Sequence, residues 1–209
     1  MNLDRVNTGN DVPHEINVVI EIPMNSDPIK YELDKQTGYL KVDRPQKFSN
    51  VYPTLYGFIP QTYCGEQVGA FCCRQTGRTG IVGDGDPMDI CVLTEKSFSH
   101  GDIILRAIPI GGLRMIDGDE ADDKIVAVLE GDAVYGGWRD IGESPPALID
   151  RLRHYFLTYK QVPDSGPPRV EITHVYHRDE AYEAIRASRA DYDAHFAELK
   201  RRIAETSEP

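Results

Sequence analysis

The stretch 29-IKYELDKQTGYLKVDR-44 decides the fold. Ile29, Tyr31 and Leu33 alternate with Lys30 and Glu32, the two-residue period of a strand with one covered face. DKQTG then reads as a turn, and YLKVDR as the returning strand of a hairpin. Just upstream, 16-INVVIEI-22 puts Ile16, Val18, Ile20 and Ile22 on one face and Glu21 on the other. Downstream, MDICVL, DIILRAIPIG, KIVAVLE and RVEITHVYH read as further strands. Short strands separated by turn signals predict an antiparallel barrel or sandwich rather than βαβ units.

Two helices accompany the strands. In 144-SPPALIDRLRHYFLTYK-160, Ser144 is the expected N-cap and Pro145 the first helical residue. Its expected apolar stripe is Leu148, Leu152, Tyr155, Phe156 and Tyr159, ending near VPDSGPP. A second helix is expected from about Asp179 to the C-terminus, packing through Tyr182, Ile185, Tyr192, Phe196, Leu199 and Ile203.

The 209 residues, 40% hydrophobic and 27% charged, fit one domain with a sizeable core, spanning 1–209. A net charge of −11 argues against a nucleic-acid partner, which needs a basic surface. No apolar run has the length of a membrane span, and the N-terminus lacks the pattern of a signal peptide. A cytoplasmic protein is expected, with Cys64, Cys72, Cys73 and Cys91 as free thiols. Their spacing matches no standard zinc pattern.

The densest chemistry is 83-GDGDPMDI-90. Pro87 pushes Asp86 toward an extended conformation, so Asp84 and Asp86 project to one side. Asp89 follows on a strand whose Met88, Ile90 and Val92 point the other way. Carboxylates this close must protonate, spread into water or share a cation. An oxygen-only set suits Mg²⁺, Mn²⁺ or Ca²⁺ rather than zinc, although Asp and Gly also make ordinary acidic turns. An EF-hand register from Asp84 fails, because its sixth position is Asp89 rather than glycine. A second acidic stretch, 117-DGDEADDK-124, brings Asp122 and Lys124 to the same face. Glu21, Lys30, Glu32, Arg44, Tyr52, Tyr56, Tyr159 and Lys160 add carboxylates, cations and tyrosine hydroxyls, a combination suited to a metal-bound polyphosphate.

These blocks, with VVIEIP, DPIKYE, KVDR, YPTLYGFIP and YFLTYK in order, closely resemble the family I soluble inorganic pyrophosphatases. The resemblance spans about residues 16–160. It implies a mainly β (α+β) fold, a five-stranded OB-like β-barrel flanked by helices. It also implies an inorganic diphosphatase, with Mg²⁺-dependent hydrolysis of pyrophosphate to two phosphates by in-line attack of a metal-activated water. By the same resemblance, Asp84, Asp89 and Asp122 would hold a metal pair, and Asp117 and Glu21 would hold further Mg²⁺. Asp86 would be the general base. Lys30, Arg44, Lys124, Tyr159 and Lys160 would grip phosphate, with Tyr56, Glu32 and Tyr52 completing the polar shell. Lys30, Arg44 and Tyr56 would act with Asp86 in catalysis. The implied partners are pyrophosphate and other copies of the chain, as a homo-oligomer, usually a hexamer in bacterial members.

Two segments depart from the family pattern: QVPDSGPPRV after Lys160, and an insertion near residues 64–82. The insertion is expected to be a surface loop, in which serine could replace Cys64, Cys72 and Cys73 with little effect; a lid or a subunit contact is the alternative. Two rival functions stay open at this point: hydrolysis of another phosphoanhydride or ester, and non-catalytic cation binding.

Overall fold

The structure, a computed structural model, describes residues 6–24, 28–34, 36–46, 50–160, 166 and 169–206, and the side chains of the last segment as far as residue 197. The predicted hairpin is present: β2 (Ile29–Leu33) pairs antiparallel with β3 (Leu40–Pro45) in a sheet of their own. Its register sets Lys30 opposite Arg44.

The remaining strands are β1 (Ile16–Ile22), β4 (Leu55–Phe58), β5 (Val82–Gly83), β6 (Asp89–Leu93), β7 (Ile103–Asp117), β8 (Glu120–Ala121), β9 (Lys124–Leu129) and β10 (Val170–His177). Five of them close on themselves in the order β1–β4–β6–β9–β7, with β7 pairing back onto β1. The expected barrel is therefore a ring of five strands. The antiparallel expectation needs one correction: β6 runs parallel to β9. Directions cannot alternate around an odd-membered ring, so one neighbouring pair must be parallel. β7 is longer than predicted because it serves β1, β9, β10 and β8 in turn. A register shift between Pro109 and Gly111 bends it, where proline can donate no ladder hydrogen bond.

All five ring strands send side chains into one core: Ile16, Val18 and Ile20, then Leu55, Ile90 and Val92, Ile125 and Ala127, Leu105 and Ala107. Met88 joins them, so Asp89 faces the other way, as the alternation predicts. Ile22 does not follow Ile20 into this core. A bulge at Ile20–Ile22 turns it into a second core with Cys91, Leu93, Val126 and Val128, covered by the helix α2 (Pro146–Thr158).

The helices differ from expectation in detail. Pro145, not Ser144, caps α2, and the Ser144 hydroxyl instead donates to the Ile141 carbonyl, closing a short 3₁₀ turn (Ile141–Glu143). Ile149, Leu152, Tyr155 and Phe156 form the buried face of α2, whereas Leu148 and Tyr159 are only partly covered. Most of VPDSGPP lies outside the described residues.

The last helix, α3 (Arg178–Thr206), buries Ala181, Ala184, Ile185, Ser188 and Asp191 rather than its aromatic residues. Small side chains let it lie close to the sheet, and Tyr182, Tyr192 and Phe196 stay half-covered. The side chains of Leu199 and Ile203 lie outside the described residues.

The insertion is not a surface loop. It folds as α1 (Glu66–Thr76), with Val68, Phe71 and Cys72 in the ring core. Cys64 is 3% exposed and Cys72 0%, and all four thiols are free. Serine at Cys64 or Cys72 would bury a hydroxyl, which is costly unless it finds a partner. Neutral replacement is therefore expected only at half-buried Cys73.

Candidate active site

One cleft gathers the residues that the sequence singles out. Glu21, Lys30, Glu32, Arg44, Tyr52, Tyr56, Asp84, Asp86, Asp89, Asp117, Asp122, Lys124, Tyr159 and Lys160 all line it. Sequence reasoning missed Glu120, which shares the lining, and Asp43, which supports it. Asp43 pairs with Arg44 at 2.6 Å and with Lys30 at 3.3 Å, holding both cations at the mouth of the hairpin. The signal was available: once Lys30 lies opposite Arg44, the residue before Arg44 is also within reach.

The ring supplies the rigid half of the cleft. Asp89 opens β6 and is registered against Lys124, which opens β9. The Lys124 ammonium donates to Asp89 Oδ2 at 2.5 Å and also to Asp122. Burial alone would lower this ammonium, but Asp122 and Asp89 outweigh it and hold its pKa well above the ordinary lysine value. The Tyr56 hydroxyl donates to the same Asp89 oxygen at 2.5 Å. Burial, then Asp89, push the pKa of Tyr56 far up, so it remains a donor. Tyr56, Tyr52, Tyr155 and Tyr159 continue as an aromatic wall, with ring separations of 4.7–5.2 Å.

The signature forms a turn entering β6. Asp86's amide donates to Asp84 Oδ1 at 3.0 Å, and Gly85 between them has φ +79, a conformation that favours glycine. Asp86 is exposed at the cleft. Opposite, Lys160 donates to Asp117 at 2.6 Å, and Arg169 pairs with the other Asp117 oxygen at 2.6 Å. Burial would raise the pKa of Asp117, but these two cations outweigh it and hold it below the usual carboxylate range. Arg169 was not legible as a site residue, because it follows a segment that the sequence marks only as irregular.

Eight carboxylates (Glu21, Glu32, Asp84, Asp86, Asp89, Asp117, Glu120, Asp122) face four cations (Lys30, Arg44, Lys124, Lys160). Among the described residues no three carboxylates, imidazoles or thiols stand close enough to hold one ion between them. In this arrangement Lys124 occupies Asp89 and Asp122, and Lys160 occupies Asp117. The donor set nonetheless fits a hard divalent cation: it is all oxygen, and part of it is short of positive charge. Burial pushes Asp84 up to about 7, helped by Asp122 and Asp89. Burial likewise pushes Glu21 up to about 7, although Leu33's amide donates to it at 2.7 Å.

A cation binding here should therefore displace protons. At pH 6, below both raised values, Mg²⁺ addition should release protons in a pH-stat titration. At pH 8.5, where both groups are already ionised, release should be much smaller. Equal release at the two pH values would remove Asp84 and Glu21 from the cation site.

Fold and cleft together define a class: a five-strand ring carrying one cleft of carboxylates with cations set among them. Known proteins narrow that class. The family model described as inorganic pyrophosphatase matches residues 18–193. An inorganic pyrophosphatase of Chlamydia trachomatis is 54% identical over 171 residues, 80% of this chain and 82% of that protein. A soluble inorganic pyrophosphatase of Oryza sativa is 39% identical over 194 residues, 93% of this chain and 80% of that protein. Among solved structures, the inorganic pyrophosphatase of Thermus thermophilus superposes with a TM-score of 0.76 at 30% identity, covering 92% of this chain and 99% of that one. The chain belongs to the soluble family I inorganic pyrophosphatases, enzymes that hydrolyse a phosphoanhydride bond.

Proposed function

We propose that the chain, as one catalytic domain, hydrolyses inorganic pyrophosphate to two phosphates with Mg²⁺ at this cleft. The observation that carries the reading is the charge balance: a cleft with eight carboxylates and four cations repels a polyanion unless metal ions enter with it. Asp84, Asp89 and Asp122 are the proposed holders of one metal pair, with Asp117 and Glu21 holding further ions. Mg²⁺ bound there would offset the phosphate charge and lower the pKa of water.

The chain's own groups do the rest. Asp86, exposed at the cleft, takes the proton of the attacking water. Lys30, Arg44, Tyr159 and Lys160 grip the phosphates and take up charge on the leaving one. Tyr56 and Lys124 fix Asp89 from two sides. Glu32, paired with Lys41 at 3.4 Å, and Tyr52 complete the polar rim.

The cavity volume is about 220 Å³. That is below the roughly 300–1,000 Å³ of a pocket for a drug-sized ligand, and it favours a compact diphosphate over a nucleotide. With millimolar Mg²⁺, phosphate release from pyrophosphate should exceed that from ATP or a simple monoester by orders of magnitude. Comparable rates on all three would favour a broad phosphohydrolase, and no release from any would leave cation binding alone. The cytoplasmic setting belongs to the same proposal. So does the homo-oligomer, a hexamer, and sedimentation checks it. Among the described residues no helix is long and apolar enough to cross a membrane.

A further inference from the structure

Asp191 lies on α3, away from the cleft lining, and is 6% exposed. Its carboxylate accepts from three backbone amides at the start of α1: Gly65 at 2.9 Å, Gln67 at 2.9 Å and Val68 at 3.0 Å. α1 has no side-chain cap of its own, since Gly65 occupies that position. Asp191 thus caps α1 from another helix and satisfies amides that have no partner within the helix, the buried Val68 amide among them.

The residue just before this turn is tied to the signature. Cys64's amide donates to the Asp86 carbonyl at 2.8 Å, and Gly85's amide donates to the Cys64 carbonyl at 2.9 Å. The two chains run so close that a Cβ on Gly83 would lie 2.2 Å from the Cys64 oxygen. α3 grips the same segment at two more points. Tyr63's amide donates to the Ser188 carbonyl at 2.9 Å, and the Tyr63 ring stacks on His195 at 4.6 Å. A continuous line of hydrogen bonds therefore runs from Asp191 through the 63–68 turn to Gly85 and Asp86.

We infer that Asp191 is a positioning residue for the reaction: by capping α1 it fixes the height and tilt of the Asp84–Asp86 turn in the cleft. The inference rests on the reading of that turn as part of the active site. The helix that the sequence suggests is only an insertion is then a strut behind the signature. A carboxylate displaced by a fraction of an ångström can cost a large part of a rate that depends on alignment.

The test uses the full chain and three variants. Asp191→Ala removes the cap, Asp191→Asn keeps one acceptor, and Val68→Ala loosens α1 through its buried apolar face while leaving the cap in place. Two readouts are taken at a temperature where each variant is folded by circular dichroism. The first is amide hydrogen exchange at Cys64 and Gly85, which needs no activity. The second is kcat, KM and the Mg²⁺ midpoint with pyrophosphate.

Asp191→Ala should speed exchange at both amides at least tenfold, lower kcat about tenfold and raise the Mg²⁺ midpoint, with a smaller change in KM. Asp191→Asn should fall between Asp191→Ala and the parent, and Val68→Ala should lower stability with kcat near the parent value. Unchanged exchange at Gly85 in Asp191→Asn and Asp191→Ala would overturn the coupling. So would an equal loss of kcat in Val68→Ala, since the effect would then be general loosening. If exchange speeds up while kcat and the Mg²⁺ midpoint stay at parent values, the cap holds the turn but does not position it for the reaction, and the inference fails. A parent chain without pyrophosphate hydrolysis would instead overturn the reading of the cleft, whatever exchange shows.

Discussion

Asp86→Asn should lower kcat by about 10²–10⁴-fold at saturating Mg²⁺ and pyrophosphate, the usual size of a lost general base. The substitution is nearly isosteric, and asparagine suits a turn as well as aspartate does. The amide of residue 86 would still donate to Asp84, so the turn should persist. What is lost is the ability to accept a proton. Thermal unfolding should match the parent. Excess Mg²⁺ should not restore the rate. Restoration by Mg²⁺ would make Asp86 a ligand, and near-normal turnover would place the base elsewhere.

The largest effect on stability should come from Arg114→Met. Arg114 is fully buried on β7 between the rings of Phe71 and Tyr176, 4.7 and 5.0 Å from their centres. It pairs with Asp123 at 3.1 Å and Glu180 at 2.9 Å. Removing one partner of a buried pair leaves the other uncompensated, at a cost of about 3–5 kcal/mol.

The pH dependence has a definite sign. Burial pushes Asp123 up to about 6 even though Arg114 pulls it back, so without Arg114 its folded pKa should rise further. A carboxyl whose pKa is higher folded than unfolded binds a proton on folding, so stability falls as pH rises above its unfolded value. The loss should therefore be greater at pH 8 than at pH 5 in urea unfolding. Adding Asp123→Asn should recover part of it, because the Tyr176 hydroxyl, 3.0 Å from Asp123, can donate to the amide oxygen. A loss under about 1 kcal/mol at pH 8 would mean that water reaches the pair.

Much of this architecture is legible in local pattern. The two-residue period of IKYEL and INVVIEI finds strands, and PMDI finds both the strand and the face that carries Asp89. The cleft residues are legible because acidic and cationic groups cluster at strand ends, where a closed ring brings them together. Closure itself is not local. Nothing in MDICVL or KIVAVL tells that β6 and β9 are the parallel pair that an odd-membered ring requires.

α1 escapes the reading for another reason. Its buried Val68, Phe71 and Cys72 do stand at the i, i+3, i+4 spacing of a helix, but that stripe is only one turn long and has Gly69 beside it. On α3 the aromatic residues suggest one face, while close approach to the sheet selects Ala181, Ala184 and Ser188. Asp191 and Arg114 carry no local signal of their roles, because Gly65 and Glu180, which they contact, lie far away in sequence.

The measurement that bears most directly on the central claim is phosphate release from pyrophosphate across Mg²⁺ concentration, for the parent, Asp89→Asn and Lys30→Ala. Asp89 faces the cleft beside Lys124, whereas Lys30 stands on the hairpin across from it. The parent should be inactive in chelator and rapid in millimolar Mg²⁺. Asp89→Asn should need more Mg²⁺ and be partly rescued by excess. Lys30→Ala should use pyrophosphate poorly at every Mg²⁺ concentration, with little change in the midpoint. A parent rate that persists in chelator, or an Asp89→Asn midpoint equal to the parent's, would contradict a metal-dependent pyrophosphate hydrolysis built on these carboxylates.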